Sequence, residues 1–276
     1  MTKNQKPEED QSSFNQGQEC LTLRNFTESA SQSGKSMKKV HITLQGKGGI
    51  GKSFVSLMIA QYIKQRDSGL LCLDTDPINA TFSTFPALHV RSIALLEGNN
   101  LINERGFDEM MEQIINSDSN VVIDNGAASY VPLSTYLMEN QAFDIIQRAG
   151  KQVIVHSVIA GGLAQDNTVS DFAALTSQLP EGVGVVVWLN EYLGSIEFNG
   201  KIFEEMKAYI DNKHRVTAII RLPKLTENTY GKDINTMMKQ HLTFEEAVQS
   251  DIFYLMSKQR IKIVERNIYE QLAIAI

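Results

Sequence analysis

The chain has 276 residues, a hydrophobic fraction of 42% and a net charge of −6, enough for one large domain or two small ones around a sizeable core. The acidic balance argues against a globally basic nucleic-acid binder. No apolar run is long enough to cross a bilayer, the N-terminus lacks the apolar stretch of a signal peptide, and two cysteines, Cys20 and Cys72, point to a reduced, cytoplasmic setting rather than a disulfide framework.

Residues 1–36 are rich in Gln, Ser, Glu and Asn and have too little apolar surface to offset the entropy of ordering. They are expected to form a flexible polar tail, with Met37 a conceivable internal start. From residue 38 short β-branched runs alternate with longer helical patterns, the signature of βαβ units and a parallel sheet. Strands are expected at 40–44, 70–74, 92–96, 121–124, 153–159, 183–189 and 216–221. Helices are expected at 52–65, 107–116, 165–178 and 202–211, and one or two more over 243–275. Several strands are apolar throughout, as when helices cover both faces of a sheet. The expectation is a doubly wound, mostly parallel α/β fold, with one domain over 37–276.

The first strand runs into Gly46-Lys47-Gly48-Gly49-Ile50-Gly51-Lys52-Ser53, followed by a helical pattern that begins with Phe54. This is G-x-x-x-x-G-K-[ST] with a strand before it and a helix after it, the context a phosphate loop requires. Glycines let successive backbone N–H groups curl around phosphate oxygens, and the helix N-terminus favours an anion. The loop through Phe54 is therefore expected to hold ATP, with Lys52 on the β- and γ-phosphates and the Ser53 hydroxyl on Mg²⁺.

Two later strands end in carboxylates at the rim where α/β proteins bind ligands. The first leads into Asp74-Thr75-Asp76-Pro77-Ile78-Asn79-Ala80-Thr81, and Asn120-Val121-Val122-Ile123 ends in Asp124. Acidic groups there can ligand Mg²⁺, directly or through water, or orient an attacking water.

The second lysine of the loop, Lys47, makes it resemble the deviant Walker A motif of the ParA/MinD family of ATPases, and the order of motifs over 38–225 is similar to that group throughout. The resemblance implies an ATP-dependent homodimer in which Lys47 acts in trans, on the nucleotide of the other subunit. It further implies that Asp76 positions the hydrolytic water, that Asp74 lies near the Mg²⁺ shell and that Asp124 is the Walker B aspartate. Asn190 would hydrogen-bond adenine and Pro223 would pack on it. The chain is one residue shorter than the family's switch between Pro77 and Asn79, and Asn125-Gly126-Ala127-Ala128 stands where the family has a proline-containing segment. Within the group, the segments around Lys47, Asp76 and Asp124 resemble nucleotide-binding proteins of conjugal plasmid transfer. That implies slow, partner-stimulated hydrolysis and a conjugation or plasmid-maintenance protein as partner. A plasmid-partition or protein-positioning ATPase, a P-loop enzyme acting on a small molecule and a nucleotide-gated adaptor that scarcely hydrolyses are the alternatives.

Other features carry less. The five histidines have no metal spacing, and the cysteines are badly placed to bridge an iron–sulfur cluster. Nonspecific DNA could meet the basic cluster Lys258, Arg260, Lys262 and Arg266, but Glu265 and Glu270 interrupt it, so it reads as a solvated helix face. The closing segment 272–276 is short and lacks a basic amphipathic helix, so core packing is expected there rather than membrane insertion.

Overall fold

Strands that are apolar on both faces can be kept from water only by two layers of helices, and that arrangement is what the computed structural model contains. It describes residue 1 and residues 37–67, 69–96 and 102–276. The expected tail, Met1 aside, and Cys20 lie outside the described residues.

The chain opens with β1 (Lys39–Thr43), α1 (Lys52–Arg66), β2 (Leu70–Asp74), β3 (Arg91–Ser92), α2 (Arg105–Asn116) and β4 (Asn120–Asp124). It continues through α3 (Tyr130–Glu139), α4 (Ala142–Arg148), β5 (Gln152–Ala160), α5 (Gln165–Gln178) and β6 (Gly184–Asn190). A hairpin of β7 (Glu197–Phe198) and β8 (Lys201–Ile202) precedes α6 (Lys207–Asn212) and β9 (Val216–Leu222). Helices α7 (Lys232–Lys239), α8 (Phe244–Gln249) and α9 (Leu255–Ala275) close the chain. Seven strands form one sheet in the order β3-β2-β4-β1-β5-β6-β9, and every neighbouring pair is parallel. The chain moves outward from β1 to β3 and returns to β4 beside β1, then continues to β5 on the other side. The loop after β1 therefore sits at the switch point, where open α/β sheets bind ligands.

Strand side chains alternate between two cores. Cys72, Val122, Val158, Trp188 and Ile220 face a layer that includes α1 and the three closing helices, where Phe244, Ile261 and Leu272 are buried. Val40, Ile42, Val155 and Val187 face the opposite layer, with Phe107, Leu133, Phe143 and Phe172. Each such side chain contributes about 1.5–3 kcal/mol by leaving water. Helix α1 is buried continuously from Val55 to Ile63, since the sheet lies under it and the closing helices over it, and so enclosed it is apolar on every side except at Ser56 and Gln61, whose side chains are hydrogen-bonded. One polar row crosses this face. Trp188 Nε1 donates to His156 Nδ1 at 3.0 Å, and His156 Nε2 lies 3.0 Å from His41 Nδ1. Indole nitrogen only donates, so the His156 proton sits on Nε2 and points at His41. Burial pushes His41 down to about 3 and holds His156 well below its ordinary value, so both rings are neutral.

The strand expected at 92–96 is only Arg91–Ser92, because β2 ends at Asp74 and leaves nothing further to pair. The helix expected at 202–211 begins at Lys207 instead. Before it, Asn199 and Gly200 adopt φ of 51° and 74° and turn the β7–β8 hairpin, the behaviour of an Asn-Gly pair. Helices α3, α4 and α7 were not foreseen. The closing stretch is two helices, the first started by a capping box between Thr243 and Glu246.

Candidate functional site

The loop between β1 and α1 turns because Gly49 and Gly51 take φ of +73° and +99°, the left-handed region that side chains disfavour. Ile50 is buried and pins the loop to the core, while Lys47, Gly48 and Gly49 are exposed at its crest. Gly51 starts α1, so the loop's N–H groups gather at a helix N-terminus. The side chain of Lys52 is buried and donates from Nζ to the Lys47 carbonyl at 2.7 Å. Burial lowers its pKa, against the opposing charges of Asp124, Asp76 and Asp171. Ser53 is half-buried, and the Phe54 ring packs on the core, which leaves its backbone to the loop.

Neighbours that sequence reasoning missed brace this loop. Ser157 Oγ donates to Gln45 Oε1 at 2.8 Å, and Gln45 Nε2 reaches the Thr168 carbonyl and Asp171 Oδ2, both at 3.3 Å. A side chain on Gly46 would meet the Tyr130 ring at 3.0 Å. Asn190, at the end of β6, donates from Nδ2 to the Ile50 carbonyl at 2.9 Å and accepts from Tyr192 N at 3.2 Å. The structure thus ties Asn190 to the loop between β1 and α1. Pro223 is exposed just beyond β9. The segments after β6 and β9 line a cavity of about 350 Å³ with Tyr192, Lys224, Leu225, Glu227, Gly231 and Asn235.

The three aspartates take different positions. Asp124 is fully buried, and its Oδ1 accepts from Ser56 Oγ at 2.9 Å and Thr43 Oγ1 at 3.2 Å. Its Oδ2 is buried without a hydrogen-bond partner. Burial raises its pKa, while the hydroxyls of Ser53, Ser56 and Thr43 and the Lys52 charge pull the other way. Asp74 is also buried, but Asp76 N and Ser83 N each donate to one of its oxygens at 2.9 Å. Burial pushes it up to about 6, and Asp124 and Asp76 add to the rise. Asp74 therefore braces the 74–83 loop, and Asp124 offers the unengaged oxygen. Asp76 is half-buried, and its Oδ1 accepts from Ile78 N at 3.0 Å and Asn79 N at 2.9 Å. The two acidic loops are joined: Thr75 N donates to the Asp124 carbonyl at 2.9 Å and Ser129 Oγ to the Thr75 carbonyl at 2.7 Å.

A buried cation, a buried carboxylate with one oxygen unengaged and a helix N-terminus meet at the switch point, an arrangement suited to a polyanion carried with a hard cation. Two Escherichia coli proteins, each called Protein TraL, are 49% and 48% identical to the chain over 236 residues, 86% of this chain and 98% of each relative. The chain belongs to the TraL family. No family model matches it. Among solved structures, a ParA family ATPase from Chlorobium tepidum aligns over 82% of this chain and 97% of its own, at 12% identity and a TM-score of 0.48.

Other predicted features of this TraL-family protein are placed as follows. Arg260 pairs with Asp233 at 2.6 Å and Arg266 with Glu270 at 3.8 Å, so half of the basic cluster is neutralised locally. Leu272 is buried in the core, and Ile276 packs against it. Among the described residues no helix is long and apolar enough to cross a membrane, and no group of three His, Cys, Asp or Glu side chains is placed to hold a metal.

Proposed function

We propose that the chain is a Mg²⁺-ATP-binding ATPase of the ParA/MinD type, a nucleotide-dependent dimerisation switch that serves conjugal plasmid transfer. The observation that carries the reading is the phosphate loop at the switch point, where Lys52 is buried within the field of Asp124, one of whose oxygens has no hydrogen-bond partner. Mg²⁺ needs few protein ligands, since phosphates and water fill most of its shell, and the Ser53 hydroxyl with Asp124 Oδ2 fits that demand. When bound, the cation neutralises charge on the β- and γ-phosphate oxygens. Backbone N–H groups of residues 46–54 cradle the phosphates, and Lys52 leaves the Lys47 carbonyl for them. The cavity lined by Tyr192 and Lys224, which follow Asn190 and Pro223 in the chain, takes the base. Asp74 holds the loop from which Asp76 orients the attacking water.

Dimerisation is supported by the loops around the nucleotide. Ile78 follows β2, Val131 follows β4, Leu163 follows β5, and Tyr192 and Leu193 follow β6. All five are exposed, at 68%, 65%, 104%, 58% and 47%. They stand on the edge that carries exposed Lys47, a rim suited to a second copy of the chain. Two triphosphates facing one another repel in a partly dry interface, and Lys47 from each partner offsets that repulsion. The 49% identity to Protein TraL supports the assignment to conjugal transfer. The experiment is titration of Mg²⁺ with a fluorescent ATP analogue into wild type and Lys52→Ala. Tight binding that the substitution removes is expected. Equal affinity in a folded variant contradicts the assignment.

A further inference from the structure

We infer that Gly126 is a positioning residue for hydrolysis, the seat on which the Asp76 carboxylate rests. The inference builds on the role proposed above for Asp76. Gly126 is buried immediately after Asp124 and Asn125, and its φ lies outside the positive region that demands glycine. Backbone geometry does not require a glycine here. Space does: a Cβ on residue 126 would lie 2.4 Å from Asp76 Cγ and 2.6 Å from each carboxylate oxygen. Real Cβ atoms do not approach that closely, so one side must move.

The carboxylate cannot yield freely. Asp76 Oδ1 holds Ile78 N and Asn79 N, at 3.0 and 2.9 Å, and a swing away releases both. The opposite loop is also fixed, because Ser129 Oγ donates to the Thr75 carbonyl at 2.7 Å and Thr75 N donates to the Asp124 carbonyl at 2.9 Å. The missing side chain at 126 thus sets where the Asp76 carboxylate stands relative to Lys52, whose pKa the Asp76 charge raises against burial. This also explains why the segment after Asp124 carries glycine in a chain whose 76–79 loop is so tight.

The test is a double-substitution cycle with Gly126→Ala, Asp76→Ala and the pair, read by melting temperature, nucleotide titration and single-turnover ATP hydrolysis. Gly126→Ala is expected to lower the melting temperature by about 2–4 °C in the parent and not in the Asp76→Ala background, where the methyl has room. It is expected to leave nucleotide affinity within about twofold while slowing hydrolysis about a hundredfold, the cost of a displacement near 1 Å. The pair should turn over no more slowly than Asp76→Ala alone. Parallel losses of melting temperature in both backgrounds overturn the seat, as does wild-type turnover of Gly126→Ala. Normal turnover of Asp76→Ala with the melting effects still coupled defeats the catalytic role of Asp76 while leaving the contact standing.

Discussion

Replacing Asp124 with asparagine separates the cation's contribution from the loop's. The amide keeps the shape of the carboxylate and can still accept from Ser56 and Thr43 through one oxygen, but it removes the charge and the unengaged Oδ2 acceptor. A charge-assisted contact is worth about 1.5–3 kcal/mol, and each 1.4 kcal/mol is about tenfold in affinity. Affinity for Mg²⁺-ATP should therefore fall by about 10–150-fold. Without Mg²⁺ the sign reverses: a negative charge beside the triphosphate is gone, so ATP measured in EDTA should bind as well as to wild type or better. Stability should move the other way from Mg²⁺-ATP affinity. Burial raises the pKa of Asp124, so its ionised form costs stability above the ordinary carboxylate range, and the nucleotide-free variant should melt higher at pH 7. Isothermal titration with and without Mg²⁺, beside differential scanning calorimetry, reads all three. An unchanged ratio of affinities with and without Mg²⁺ would refute the placement of the cation at Asp124.

Further outcomes follow from the same geometry. Asp76→Ala should bind Mg²⁺-ATP within a few-fold of wild type yet accumulate a long-lived ATP-bound dimer, because affinity comes mainly from the 46–54 loop; rapid-quench hydrolysis at the parental rate would move the catalytic role elsewhere. The neutral His41–His156 pair makes stability sensitive to acid. Burial depresses both rings, His41 to about 3, so between there and the unfolded value near 6.5 the unfolded chain binds more protons. Stability is then full above about pH 6.5 and falls below it by about 1.4 kcal/mol per pH unit for each ring. The raised carboxylates of Asp74 and Asp124 work in the opposite sense at acid pH, so the informative quantity is the difference between wild type and His41→Gln. Urea melts from pH 6 to 4 should show the wild type losing stability more steeply, and parallel curves would refute the buried neutral pair.

Features that depend on neighbours in sequence were legible without the structure. The glycine-bearing turn between β1 and α1 lies where eight contiguous residues put it, and Asp124 ends an apolar strand as expected. Six of the seven sheet strands fall where β-branched runs put them, while β3 is short because pairing partners, not propensity, limit an edge strand. What escaped notice is held by distant contacts. Gln45 reaches Asp171 across 126 positions, and no local pattern connects them. The Asp76–Gly126 contact joins two loops through a side chain that is absent. Helices α3 and α4 had a usable signal, Leu133 with Leu137 and Phe143 with Ile146, but Pro132 and the glycine-bearing loop before it obscured the period. The Asn199-Gly200 turn was a local cue for the β7–β8 hairpin that the helical reading of 202–211 overrode.

The central claim is that nucleotide binding brings two copies together through Lys47. Light scattering on size-exclusion peaks, with Mg²⁺ and a non-hydrolysable ATP analogue present or absent, tests it most directly. Wild type should double its mass only when the analogue is present, and Lys47→Ala should bind the analogue yet remain a monomer. An unchanged mass at saturating analogue, or a Lys47→Ala dimer of normal affinity, would contradict the account.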